Sequence, residues 1–150
     1  MSDSKMSRQV GVVLVTHGTF GTGLLEAAEI VSGSQDNVRA IGVPPGSAVD
    51  SVVDAIREAV EQCGATRDGV LVLTDLFGGT PTTLSLSLLK SYQLEVITGV
   101  NLPMVVKAFQ VRNLPLKEMA GQVKSAGRQG IVVAGEMLSR RSGSRQGGGA

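Results

Sequence analysis

Val10, Gly11, Val12, Val13, Leu14, Val15 and Thr16 form a β-branched run without polar alternation, the pattern of a strand covered on both faces in a parallel sheet. Runs of the same character return at residues 38–43, 70–74 and 94–98, predicting four strands. Between them the apolar spacing turns helical. Val49, Val52, Val53, Ile56 and Val60 recur at i, i+3, i+4 and i+7, while Asp50, Asp54, Arg57, Glu58 and Glu61 take the other face. That segment predicts an amphipathic helix lying on the sheet. Leu24, Ala27, Ala28 and Val31 make a comparable stripe, and Pro44-Pro45-Gly46-Ser47 supplies a turn and N-cap before the second helix. Thr80-Pro81 reads as N-cap and first-turn proline, opening a helix through Leu84, Leu88 and Leu89. Asn101 caps a further helix whose apolar positions are Met104, Val105, Ala108 and Phe109.

Strands alternating with helices predict right-handed βαβ units and an α/β fold, a single domain built on an open, mainly parallel sheet with helices on both faces. After Pro115 a helix carries Leu116, Met119, Ala120 and Val123, followed by Gly127. Ile131, Val132, Val133 and Ala134 then read as a short fifth strand for which the sequence identifies no partner. Residues 1–9 form an N-terminal extension, 10–138 the domain, and 139–150 a flexible tail rich in Gly, Ser and Arg. Residues 12–17 and 70–75 echo one another, each an apolar run ending in Thr and a polar residue.

Composition narrows the function. A chain of 150 residues that is 42% hydrophobic holds one core and is too apolar for intrinsic disorder. Its 14 Lys and Arg against 13 Asp and Glu leave a charge of +1, and residues 9–138 alone carry 9 basic and 12 acidic side chains, a balance of −3. The electrostatic drive for nucleic acid is missing, and three Phe, one Tyr and no Trp give little to stack bases on. A lone Cys63 closes no intrachain disulfide, and with a single histidine there is no Cys/His zinc set. No apolar run reaches membrane-spanning length and none at the start resembles a signal peptide, so the expected setting is the reducing cytoplasm, with no metal or cofactor. Cys63, at the end of the second helix, is expected to be an inert, buried or half-buried thiol.

In an open parallel sheet, ligands bind beyond the carboxyl ends of the strands where the strand order reverses. If strand three lies on the far side of strand one from strand two, that reversal brings together His17, ending strand one, and Asp75, ending strand three. A carboxylate accepting one imidazole N–H fixes the tautomer and leaves the other ring nitrogen with a free lone pair, a nucleophile. Gly78-Gly79-Thr80-Pro81 leads directly into a helix whose first N–H groups suit an anion, and Gly18 lets a second loop approach closely. A phosphoryl group carried by His17 fits this setting. Other chemistries lack their residues. There is no G-x-x-x-x-G-K-[ST], no G-x-G-x-x-G and no G-x-S-x-G. Thr16-His17-Gly18 is neither the Arg-His-Gly core of phosphohistidine mutases nor accompanied by the second histidine of tetrapyrrole chelatases.

These residues resemble the enzyme IIA domain of the mannose family of the bacterial phosphoenolpyruvate-dependent sugar phosphotransferase system. The resemblance rests on Val13-Leu14-Val15-Thr16-His17-Gly18, on Val43-Pro44-Pro45-Gly46, on residues 69–81 ending Thr74-Asp75-Leu76-Phe77-Gly78-Gly79-Thr80-Pro81, and on residues 95–104 ending Gly99-Val100-Asn101-Leu102-Pro103-Met104, in family order and spacing. It implies a sheet of order 2-1-3-4 and a C-terminal strand exchanged across a homodimer. It further implies that His17 accepts a phosphoryl group from the phosphocarrier protein HPr and passes it to an enzyme IIB component, with Asp75 orienting the ring. Gly18, Gly78, Gly79 and Thr80 would bind the phosphoryl group, and Phe20, Phe77 and Met104 would form an apolar rim for transient docking. Phe77 stands where relatives often have Trp, and Thr80 where Ser is common. A membrane permease would be a peripheral neighbour. Two alternatives stay open: the phosphocarrier subunit of a dihydroxyacetone kinase, and a regulatory module whose phosphorylation state a partner senses without sugar transport.

Overall fold

The computed structural model describes residues 7–65, 67–76 and 78–148, with side chains described through residue 141. Four strands, β1 (Gly11–His17), β2 (Val38–Val43), β3 (Val70–Thr74) and β4 (Leu94–Thr98), form one sheet of order β2-β1-β3-β4 with every pairing parallel. Each crossover carries a helix: α1 (Phe20–Ser32), α2 (Val49–Cys63) and α3 (Thr80–Leu86). Then follow α4 (Leu102–Gln110), α5 (Leu116–Gln129) and α6 (Ala134–Gly148).

The unbroken apolar runs have a simple cause. Val12 and Leu14 of β1, with Leu71 and Leu73 of β3, pack on one face against Ala28 of α1, Val105 of α4 and Met119 of α5. Val13, Val15, Val70 and Val72 pack on the other face against Ile56 and Val60 of α2 and Leu84 of α3. Both central strands are buried on both sides, so polar alternation is excluded and the strands are apolar up to their carboxyl ends, where Thr16, His17 and Thr74 stand. On α2, Val52, Ile56 and Val60 of the expected stripe are buried and Val53 is partly so, Val49 at the helix start is exposed, and Cys63 is buried at its end. On α1 the stripe is shorter: Ala28 is buried, but Val31 is exposed and Leu25 packs on the core instead.

Asn101 caps α4, its Oδ1 accepting the Met104 N–H at 3.1 Å while its Nδ2 donates to the Gly127 carbonyl at 3.0 Å. Two other helix starts sit one residue away from their expected place: the caps are Ala48 for α2 and Gly79 for α3. Arg112 is a buried feature that local pattern does not announce. Its Nε donates to the Val10 carbonyl at 2.9 Å and its Nη2 to the Asn37 carbonyl at 3.1 Å, tying the starts of β1 and β2 together.

One expectation at the C-terminus needs correction within the single chain. Residues 131–133 form no strand, and α6 begins at Ala134. A strand needs a neighbour to take up its N–H and C=O groups, and the free edge of β4 is not paired by this segment. Ile131, Val132 and Val133 are instead left exposed. The segment expected as a flexible tail, residues 139–150, is helical as far as Gly148. All its described side chains are exposed, and an isolated stretch satisfies its backbone most simply by bonding to itself. Residues 1–6, 149 and 150 lie outside the described residues.

Candidate functional site

β1 and β3 lie side by side, so their carboxyl ends open together on one rim of the sheet. His17 is the last residue of β1 and Asp75 directly follows β3. Their side chains meet: His17 Nδ1 stands 2.9 Å from Asp75 Oδ2, and the same oxygen accepts the His17 main-chain N–H at 2.9 Å. The exposures differ sharply, with 52% of the His17 side chain and 15% of the Asp75 side chain open to solvent. The ring is accessible and its anchor is mostly covered.

Protonation follows from this arrangement. Burial alone raises the Asp75 pKa, but hydrogen bonds from the His17 main chain and ring, together with the ring's charge, outweigh it and hold the carboxyl below its ordinary value. An ionised carboxylate can only accept, so Nδ1 is the donor, and in the neutral ring Nε2 keeps the lone pair.

The loops around the ring are fixed by main-chain contacts. Gly18 turns at a φ of +52°, a region that disfavours other residues, and its N–H donates to the Val43 carbonyl at 3.0 Å. The buried Thr16 hydroxyl accepts the Gly21 N–H at 2.7 Å, locking β1 to the first turn of α1. On the other side, a Cβ added at Gly79 would lie 3.0 Å from His17 Cε1 and 3.6 Å from Nε2. Bare backbone is what lets this loop close beside Nε2. Gly78 lies in the turn before it and Thr80, exposed, is the first residue of α3.

A cleft of about 530 Å³ opens next to the ring, lined by His17, Val43, Pro44, Ser47, Thr80 and Leu84 among others. Pro44, Ser47 and Leu84 were not among the site residues expected from sequence, although Pro-Pro-Gly directly after β2 marks a rigid turn at the same rim. Ser47 braces that turn, its hydroxyl donating to the Pro44 carbonyl at 2.7 Å.

The expected rim divides. Phe20 opens α1 and is 49% exposed. Met104 is a correction: it is buried in the core, close enough to α5 that a Cβ on Gly127 would come within 2.5 Å of its Cγ. It belongs to the inward stripe of α4 and offers nothing to a visitor. Phe77 lies outside the described residues. α3 is also shorter than expected, seven residues ending at Leu86, and such a helix adds less at its N-terminus than a long one. Among the described residues no three His, Cys, Asp or Glu side chains gather as a metal site would require.

Comparison with known proteins adds four findings. The family model described as EIIA-man, PTS system fructose IIA component, matches residues 11–125. The chain is 27% identical over 133 residues to the PTS system fructose-specific EIIA component of Bacillus subtilis, covering 87% of this chain and 90% of that protein. It is 31% identical over 125 residues to the PTS system mannose-specific EIIAB component of Escherichia coli, covering 81% of this chain and 38% of that longer protein. Among solved structures, a phosphotransferase system component EIIA from Streptococcus agalactiae superposes with a TM-score of 0.77 at 30% identity, over 85% of this chain and 98% of the other.

Proposed function

The chain belongs to the EIIA-man family of phosphotransferase-system components, and from that premise we propose that it is a phosphocarrier whose His17 takes a phosphoryl group from phospho-HPr and passes it to an enzyme IIB component. The observation that carries this reading is the single histidine held through Nδ1 by Asp75, with no hydrogen-bond partner at Nε2 among the described residues and the ring on an open rim. Nε2 is then the attacking atom. Its lone pair forms the new P–N bond as the bond to the donor's nitrogen breaks, and the departing electron pair stays on the donor ring. Transfer of this kind asks a protein mainly for positioning and charge stabilisation. Gly18, Gly78, Gly79 and Thr80 supply the backbone and hydroxyl around the incoming group, and Phe20 and Phe77 an apolar contact for the visitor.

Incubation with phosphoenolpyruvate, enzyme I and HPr is expected to yield acid-labile, alkali-stable phosphate whose 31P shift marks Nε2 substitution. No incorporation, or substitution at Nδ1, would overturn the proposal. Addition of enzyme IIB should discharge the label.

A homodimer is part of the same reading. β4 has a free edge, and beside it a groove of about 490 Å³ is lined by Leu86, Val96, Ile97 and Ala120 among others. The exposed Ile131, Val132 and Val133 are the segment of a second copy suited to lie there as a strand. Sedimentation at micromolar concentration should give a dimer that substitution of Ile131→Lys weakens; a wild-type monomer would remove this part.

A further inference from the structure

Two hydroxyls are sealed beneath the rim where only apolar atoms would be expected. Thr74, ending β3, is fully buried, and Thr82, in the first turn of α3, is 1% exposed. Buried hydroxyls persist only where they are bonded, and here the bonding has a direction. Thr82 Oγ1 donates its one proton to the Leu76 carbonyl at 2.7 Å. It therefore has to accept from Thr74 Oγ1, 2.5 Å away. The chain runs Thr74 to Thr82 to Leu76, and its two ends are the residues on either side of Asp75.

The Leu76 carbonyl is a junction, because it also accepts the Gly79 N–H at 3.2 Å. One hydroxyl on α3 thus ties down the Thr74 side chain before Asp75, the Leu76 backbone after it, and the loop that brings Gly79 against the Nε2 side of the ring. Asp75 in turn takes both the main-chain and the ring N–H of His17 on a single oxygen, a geometry that a small rotation of its backbone would break. We propose that Thr82 is a positioning residue for the His17–Asp75 pair, acting through the Thr74 hydroxyl and the Leu76 carbonyl. Its consequence for phosphoryl transfer rests on His17 being the acceptor, but its consequence for the ring does not.

The test is therefore spectroscopic first. With 15N-labelled imidazole, at a pH where the ring is neutral, the wild-type protein should be mostly the Nδ1–H tautomer. Thr82→Val keeps the shape and removes the hydroxyl, and it should shift the tautomer ratio toward Nε2–H by about five- to tenfold, the scale of one lost hydrogen bond. Thr82→Ser should restore the ratio to within about twofold. In the phosphoenolpyruvate assay Thr82→Val should slow uptake by a similar factor, and should slow it no further in an Asp75→Ala background, as for two residues acting through one contact. Should Thr82→Val not fold, Thr74→Val, which spares the Thr82–Leu76 bond, should move the ratio the same way by a smaller factor. A folded variant with the wild-type tautomer ratio, no rescue by serine, or equal slowing with and without Asp75 would overturn the assignment. Failure of the wild-type protein to take up phosphate would instead strike the functional reading and leave the tautomer measurement standing.

Discussion

A His17→Ala chain is expected to take up no acid-labile phosphate from phosphoenolpyruvate, enzyme I and HPr, while folding as stably as the parent. The chain has one histidine, so no second imidazole can substitute, and 52% of the side chain is already in solvent, so its removal leaves no core cavity. Asp75→Ala should behave differently. The nucleophile survives, but its ring loses the acceptor at 2.9 Å that selects the tautomer and orientation, and loss of an orienting partner of this kind costs about 10–100-fold. Alkali separates the remaining possibility: label on an aspartyl group is released by it, and label on imidazole is not. Radiolabel in His17→Ala that alkali releases would make Asp75 the acceptor and reverse the two roles; wild-type rates in Asp75→Ala would show that the carboxylate orients nothing.

How much of this was legible before the fold was known depended on the range of the interaction. β1, β3 and α2 were readable because their burial is written in their own unbroken or helically spaced apolar positions, whereas the sheet order came from the family resemblance. The meeting of His17 and Asp75 was readable in the same way, since each ends a strand and the order of strands puts them together. Met104 carried two readings, an inward stripe position on α4 and a rim position, and packing chose the first. The hydroxyl chain was half visible as the echo between residues 12–17 and 70–75. Thr16 and Thr74 are both buried strand-end hydroxyls bonded to the helix that follows, but which helix atom each reaches depends on turns that sequence does not specify. Arg112 was invisible, because its acceptors lie 102 and 75 residues away. The short apolar run at residues 131–134 shows the opposite failure. β-branched composition supplies the propensity for a strand, but not the neighbour that makes one.

Gly42→Ala is expected to damage stability and transfer together, which connects the sheet to the chemistry. Gly42 of β2 pairs with Thr16 of β1, one residue before His17. A Cβ built at Gly42 would lie 2.2 Å from the Gly18 carbonyl oxygen, far inside contact distance. The obstacle is main chain, so no side-chain rotation can relieve it. Gly18 must move, and with it go its N–H bond to Val43 and the backbone that carries the imidazole. Forced overpacking of this kind costs about 1–3 kcal/mol, more where backbone must shift, and urea denaturation should show a loss at the upper end of that range. Phosphate uptake should fall by at least about tenfold, since misplacing a reacting group by 1 Å can cost about 100-fold. Gly23→Ala is the control within the same region. It lies in α1, where a Cβ meets nothing within 4 Å, and alanine there should stabilise by about 0.5–1 kcal/mol with uptake unchanged. If Gly42→Ala were as stable and as active as the parent, the close approach of β2 to the His17 loop would be wrong, and with it the account of how the ring is held at the rim.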